Sequence, residues 1–329
     1  MIVEQREVRP PEENEVVIKV EAVGICGSEI EGYLGHNSLR RPPLVMGHEF
    51  SGHISETGRS VTGLSAGDKV VVNPLIYCSH CDRCRKGKIN LCDSRKIVGI
   101  HMPGGFAEYV TVPASTVRLV PESVSPFRAA LTEPLACSLR ATRRAMADAV
   151  YANVAVIGAG AIGLLCAFVA QLMGARKVIV IDTNGERLKT AESVGIGYTA
   201  NPAEHNLKTR IAAITDSRGV DVVIDAAGFQ PTRNAAMEMV NPGGTIMNIG
   251  LGIDETQVRI NHAIRNEINI LGSFCYSQQD FSDALNLLAD GRITEAGWTT
   301  VRSLEEGGRA FADLVAGKVA QGKIFLEVK

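Results

Sequence analysis

No block of like charge interrupts this sequence. Its 34 basic and 36 acidic residues leave a net charge of −2, and without a basic stripe neither nucleic acid nor a membrane surface is an expected partner. A secretory signal is lacking too, because Met1-Ile-Val-Glu-Gln-Arg-Glu7 is charged where such a signal is apolar. There is no internal repeat and no low-complexity linker. The apolar run from Val154 to Ala175 has the length to cross a bilayer. Gly158, Gly160 and Gly163 punctuate its first half, however, and a strand, turn and helix explain it better. The expectation is a soluble cytoplasmic protein. At 329 residues it has room for about two domains, and 45% apolar content supplies sizeable cores.

Cysteine is scarce, yet Cys78, Cys81, Cys84 and Cys92 fall within fifteen positions. Thiolates at such gaps can close a tetrahedral shell around zinc, and a shell of four protein ligands leaves no room for substrate. A pair of disulfides is the alternative, which suits a small secreted scaffold better than this chain. The zinc read here, in a lobe over about residues 76–95, is structural, so the working site lies elsewhere.

Before the lobe, Val16 to Val20 alternates as a strand and leads to Gly24-Ile-Cys26-Gly-Ser28-Glu29. Cys26 lies between glycines, on a turn, and alone reads as a small buried hydrophobe. Met46-Gly47-His48-Glu49 follows. By itself that pair reads as a surface or capping feature. Glycines spaced among Val and Ile, the strand Asp68 to Val72 and a return to strand over Gly104 to Val112 suggest a small irregular β domain. From Phe127 to Ala149 the chain reads as helix. Glu133-Pro134 sits where Pro134 allows a helix start but no helix interior.

A second unit opens at Asn153. The strand Val154 to Ile157, the turn Gly158-Ala-Gly160-Ala-Ile162-Gly163, a helix to Met173, the strand Val178 to Ile181 and then Asp182 form the dinucleotide fingerprint in its full context. Gly158 makes the turn, Gly160 keeps the backbone clear for the pyrophosphate, and Gly163 lets the helix approach the strand. The helix N-terminus faces the phosphates. Asp182 would hold the ribose hydroxyls and repel a 2′-phosphate, which favours NAD over NADP. Arg187 could stack on the adenine side. Val220 to Ile224, Thr245 to Ile249 and Ile268 to Leu271 continue a parallel sheet. Helices near Ala284 to Ala289 and Gly308 to Val315 follow, and Lys323 to Val328 reads as a strand returning to the first domain.

Four motifs in this order, Gly24 to Ser28, Gly47-His48-Glu49, the cysteine lobe and Gly158 to Gly163, resemble the zinc-dependent medium-chain dehydrogenases, and the resemblance spans essentially the whole chain. Glu133-Pro134-Leu135 and Ile100 to Tyr109 are similar to the sorbitol, threonine and sugar-acid branch. The resemblance implies an α/β protein. Residues 1–136 and 273–329 would form a β-rich GroES-like catalytic domain, and residues 137–272 a doubly wound Rossmann domain. It implies two zincs per chain. The catalytic one would be held by Cys26, His48 and, directly or through water, Glu49 and Glu133, with Ser28 passing the proton away. It adds Ile162, Asp182, Arg187, Ile249 to Leu251 with Gly250 between them, and Ser273, Phe274 and Cys275 as NAD contacts. It also implies a homo-oligomer, dimer or tetramer.

Three departures stand out. Glu31 occupies the position of a common relay histidine, Cys275-Tyr276 replaces an Arg-Tyr pair, and the chain begins about a dozen residues late against usual members. The expected reaction is NAD-dependent oxidation of a secondary alcohol on a polyol, sugar or sugar acid. An amino-alcohol dehydrogenase for threonine or an aminocyclitol is the alternative within enzymes. A non-catalytic nucleotide- and zinc-binding relative is the alternative outside them.

Overall fold

The computed structural model describes residues 1–329. Two sheets carry the molecule. In the first, the strands run in the order Thr299–Ser303, Lys323–Glu327, Glu15–Gly24, Glu49–Thr57, Lys69–Val72 and Val117–Leu119, with Tyr109–Pro113 also paired to Glu15–Gly24. The pairings are antiparallel except that of the two C-terminal strands. Along Glu15–Gly24, Val16, Ile18 and Val20 enter one apolar core with Phe50, Ile54 and Phe311. That period-2 pattern is what the sequence displays.

In the second sheet all strands are parallel, in the order Tyr198–Ala200, Lys177–Ile181, Asn153–Ile157, Val220–Asp225, Val240–Asn248 and Asn269–Gly272. This is the doubly wound order 3-2-1-4-5-6. Alternate residues feed cores on its two faces. Val154, Val156, Val178 and Val180 pack on one side, and Ala155, Ile157, Ile179 and Ile181 on the other. Burial on both faces explains why these strands read as unbroken apolar runs.

The structure corrects the reading of Phe127 to Ala149 as one helix. Two helices stand there, Pro126–Ala130 and Thr132–Ala145. Ser125 caps the first by accepting the Arg128 N–H at 3.0 Å. Pro134 falls in the first turn of the second, where a backbone N–H has no intrahelical partner to lose. The strand expected from Gly104 begins only at Tyr109. Gly104 is instead committed to a backbone crossing, since a Cβ there would lie 2.2 Å from the Gly47 carbonyl oxygen.

Ser125 also donates to Glu295 at 2.6 Å, and the Arg128 Nε meets the same carboxylate at 2.7 Å. This ties the helix start to the segment before Thr299–Ser303. Burial pushes the Glu295 carboxyl up, but Ser125 and Arg128 outweigh it and hold the group below its ordinary value. A depressed folded-state pKa gives stability that is present above the unfolded value of about 4.3 and lost as pH falls through the folded value. The Tm gap between the wild type and Glu295→Gln should therefore narrow as pH drops from about 7 to about 3. A gap independent of pH, measured by calorimetry, would show that the ion pair contributes nothing.

Candidate active site

Cys26 is the N-cap of the helix Gly27–Tyr33, and Glu49 opens the strand Glu49–Thr57 beside it. Their register, Gly24 opposite Glu49, brings the two motifs together. Cys26, His48 and Glu49 each place a ligand atom within 4.8 Å of the others. Gly47, at φ +99°, makes this possible. A Cβ there would lie 2.6 Å from the Phe106 nitrogen and 2.9 Å from that of Gly105, so the chain before His48 threads against the backbone of the next loop.

Glu29, quoted with the Cys26 motif but given no role from sequence, organises this group. Wholly buried, it accepts the Cys26 N–H at 3.0 Å and the Gly47 N–H at 2.8 Å, and its Oε1 pairs with His48 Nδ1 at 2.9 Å. The other imidazole nitrogen is thereby left for Cys26. Burial raises the Glu29 pKa, but His48 and the Cys26 N–H outweigh it and the net shift is downward. For His48, burial lowers the pKa while Glu29 and Cys26 carry it well above its ordinary value.

Glu29→Gln keeps the shape but must turn an NH₂ toward one of three donors. Losing such a partner of a ligating histidine costs about 10–100-fold in metal affinity or activity. Metal retention on dialysis against a chelator measures it, and full retention would remove Glu29 from the site's architecture.

Lys323, from the last strand, is a second residue that sequence reasoning missed. Nothing local marks it. Its ammonium pairs with Glu49 Oε2 and donates to the Ile25 carbonyl at 3.0 Å, and both side chains of the ion pair are buried. Glu49 Oε1 stays buried with no protein partner. A thiol, an imidazole nitrogen and an orphaned carboxylate oxygen gathered this closely fit a divalent cation.

Glu133 lies outside that three-residue group. Burial pushes its carboxyl up to about 7, with His48 opposing and Glu49 adding to the rise. The buried Tyr276 stands beside it, and Cys137 Sγ is 3.8 Å from its Oε1. Ser28 donates to Cys26 Sγ at 3.3 Å and accepts from Arg40 Nη2 at 3.0 Å. The onward neighbour of Ser28 is therefore Arg40, while Glu31 turns outward to His36 at 3.0 Å.

In the lobe, Cys78 Sγ lies 3.6 Å from Cys92 Sγ and 4.0 Å from Cys84 Sγ, and the four sulfurs lie within 4.8 Å of one another. A tetrahedron with arms of about 2.3 Å has edges of about 3.8 Å. All eight cysteines are free thiols, so the disulfide alternative fails.

At the glycine turn, Gly158 has φ +106°, and a Cβ on Gly163 would lie 1.8 Å from the Gly158 carbonyl oxygen. Nothing lies within 4 Å of a Cβ on Gly160, which leaves the helix N-terminus open to a ligand. Ile162, on that first helical turn, offers its carbonyl to Ser138. Asp182 accepts the Ala159 N–H at 2.7 Å and the Asn184 N–H at 2.8 Å, which fixes its carboxylate at the strand end. Arg187 Nε reaches the Val319 carbonyl at 3.4 Å. Ile249 follows the fifth strand of the sheet and donates to the Asp225 carbonyl at 3.0 Å. Gly250, Leu251, Ser273 and Phe274 line one cavity at the carboxyl ends of the last two strands. Cys275, at φ +48°, bends the chain from there toward Glu133.

A doubly wound sheet with an open glycine turn, in one chain with a close Cys–His–carboxylate group, defines an oxidoreductase that works with a dinucleotide and a metal ion. Residues 12–122 match the family model of the alcohol dehydrogenase GroES-like domain, and residues 161–290 that of zinc-binding dehydrogenases. The chain is 35% identical over 315 residues to D-xylulose reductase A of Aspergillus oryzae, covering 93% of this chain and 87% of that protein. It is 34% identical over 294 residues to L-galactonate-5-dehydrogenase of Escherichia coli K12, covering 89% and 86%. A zinc-binding dehydrogenase from Sinorhizobium meliloti 1021, solved bound to NADP, superposes with a TM-score of 0.89 at 31% identity, over 97% of this chain and 93% of that one. The chain belongs to the zinc-binding alcohol dehydrogenase family and is a zinc- and NAD(P)-dependent oxidoreductase.

Proposed function

We propose that this enzyme oxidises a secondary alcohol of a polyol, sugar or sugar acid with NAD. The cluster of Cys26, His48 and Glu49, with one Glu49 oxygen left without a protein partner, carries the reading. These residues would hold the catalytic zinc, with Glu133 completing its shell directly or through water. When bound, the zinc supplies a Lewis acid for the substrate hydroxyl and the nicotinamide supplies the hydride acceptor. Glu29 orients His48, and Lys323 balances the charge of Glu49. Ser28, held by Arg40 beside Cys26, is placed to relay the hydroxyl proton, releasing its own proton to water as it accepts the substrate's. The names of the fungal and bacterial relatives, a ketose reductase and a sugar-acid dehydrogenase, support the substrate class.

Gly158, Gly160, Ile162 and Gly163 cradle the pyrophosphate, Asp182 and Arg187 face the adenosine side, and Ile249 to Leu251 with Ser273 to Cys275 wall the nicotinamide. Residues 1–136 and 273–329 serve as the catalytic domain and residues 137–272 as the nucleotide domain. The exposed edge strand Asn269–Gly272, with Ile270 in solvent, supports assembly as a dimer or tetramer. No helix is long and apolar enough to cross a membrane, and eight free thiols suit a reducing cytoplasm.

The test is a rate panel of polyols, sugar acids and amino alcohols with NAD and NADP, beside metal analysis. Two zincs with turnover of a polyol or sugar acid support the proposal. Turnover confined to amino alcohols would replace the substrate class. A protein with zinc only in the cysteine lobe and no turnover would replace the function. Asp182 gives the cofactor its own readout. Placing a carboxylate against a 2′-phosphate costs several kcal/mol, so Asp182→Ala should shift the NAD-to-NADP ratio of kcat/KM by about 100-fold toward NADP.

A further inference from the structure

A cavity of about 510 Å³ opens at the carboxyl ends of Val240–Asn248 and Asn269–Gly272, against the cysteine lobe. Four cations line it, Lys88, Arg140, Arg144 and Arg233, and no acid does. Arg140 is paired with Asp280 at 3.2 Å. Lys88, Arg144 and Arg233 have no carboxylate partner anywhere in the fold. Two of these three are nonetheless held in place, Arg144 by the Gly272 carbonyl and Arg233 by Thr256 Oγ1 at 2.9 Å. Like charges gathered on one cavity repel, and an anion relieves that cost.

The cavity shares a helix with Glu133. Glu133, Cys137, Arg140 and Arg144 recur at 4-3-4 spacing on the helix Thr132–Ala145, so they share one face. Arg140 stands about 10 Å along the axis from Glu133, and its side chain leans back toward the helix N-terminus. Asn90, buried in the lobe, donates to the Phe274 carbonyl at 2.7 Å, which ties Lys88 to the wall shared with the nicotinamide contacts.

The cofactor's own phosphates belong elsewhere. The glycine turn follows Asn153–Ile157 and Asp182 follows Lys177–Ile181. These strands stand two and three places from Val240–Asn248, roughly 10 and 14 Å across the sheet.

We propose that this cavity is an anion subsite for the substrate, so that the preferred alcohol carries a carboxylate or phosphate several carbons from the hydroxyl that is oxidised. This rests on the dehydrogenase reading above and narrows its substrate class to anionic sugar derivatives. An anion held away from the reacting carbon contributes equally to ground and transition states, so the effect falls on KM.

The experiment uses the zinc-loaded enzyme with NAD and three matched substrates: a hexitol, the hexonate of the same configuration, and the hexitol phosphate. One of the anionic substrates should exceed the hexitol in kcat/KM by at least tenfold, mostly through KM, and which one does so distinguishes carboxylate from phosphate. Lys88→Gln and Arg144→Gln should each lower that ratio at least fivefold. A hexitol preferred over both anions, or a ratio that neither variant moves, overturns the subsite.

Inorganic phosphate binding, followed by calorimetry, separates this claim from the dehydrogenase reading. Should none of the three substrates turn over, the substrate class proposed above fails, and the subsite then stands or falls on phosphate. Binding to the wild type that weakens at least fivefold in both variants sustains it. No binding, or binding indifferent to the variants, removes it.

Discussion

Cys26→Ser should leave one zinc per chain and lower kcat at least ~10³-fold while the protein stays folded. The Lewis acid is worth several kcal/mol of transition-state stabilisation, and about 4 kcal/mol corresponds to 10³ in rate. Serine donates far less charge to the metal than a thiolate, and the remaining ligands His48 and Glu49 cannot close the shell alone. The fold survives because Cys26 is a half-buried helix N-cap and serine is among the best residues at that position. Metal analysis and steady-state rates read the two effects, and circular dichroism confirms the fold. Unchanged turnover in a folded Cys26→Ser protein would falsify metal-assisted catalysis at this site.

The second large effect is structural. Cys84→Ser should also cost one zinc, this time from the lobe. Tetrathiolate zinc contributes about 10–16 kcal/mol to folding in small peptides, as much as a whole domain's stability. The lobe has little else to hold it. Between Cys78 and Cys92 only Ile89, Asn90 and Cys92 are buried, and its regular elements are a single helical turn, Asp82–Arg85, and the 3₁₀ turn Ile89–Leu91. We expect protease cleavage within residues 78–92 and a Tm lower by roughly 3–4 °C, as a local loss of about 2–3 kcal/mol gives in a chain of this size. AMP binding, which reads the adenosine end alone, should persist, because the parallel sheet shares no strand with the lobe. An intact lobe in the variant would show that the thiolates are dispensable.

Much of this was legible in the sequence because it is local. The cysteine spacings, the glycine turn and the apolar strands of the parallel sheet each carry their cause within about fifteen residues. Asp182 and Pro134 could be placed for the same reason. What stayed hidden depends on distant chain crossings. Glu29 stood in plain view beside Cys26, yet its three donors come partly from Gly47 and His48, eighteen and nineteen residues away. Arg40 reaches Ser28 from twelve residues on. The strands Tyr198–Ala200 and Thr299–Ser303 are short edge elements, too brief for an alternating pattern to declare itself. The strand expected from Gly104 failed because its glycines serve a close backbone approach that periodicity does not report.

The Lys323–Glu49 pair sets the order in which the enzyme can be born. Its partners are separated by 274 residues. At synthesis rates of 5–20 residues per second, roughly 15–50 s pass between their appearance on the ribosome. Throughout that interval the nascent site has a carboxylate without its cation. A chain released early, before the final strand, cannot bury Glu49 without leaving an uncompensated charge inside. Truncated products that lack the last strand therefore carry a defect at the reaction centre itself.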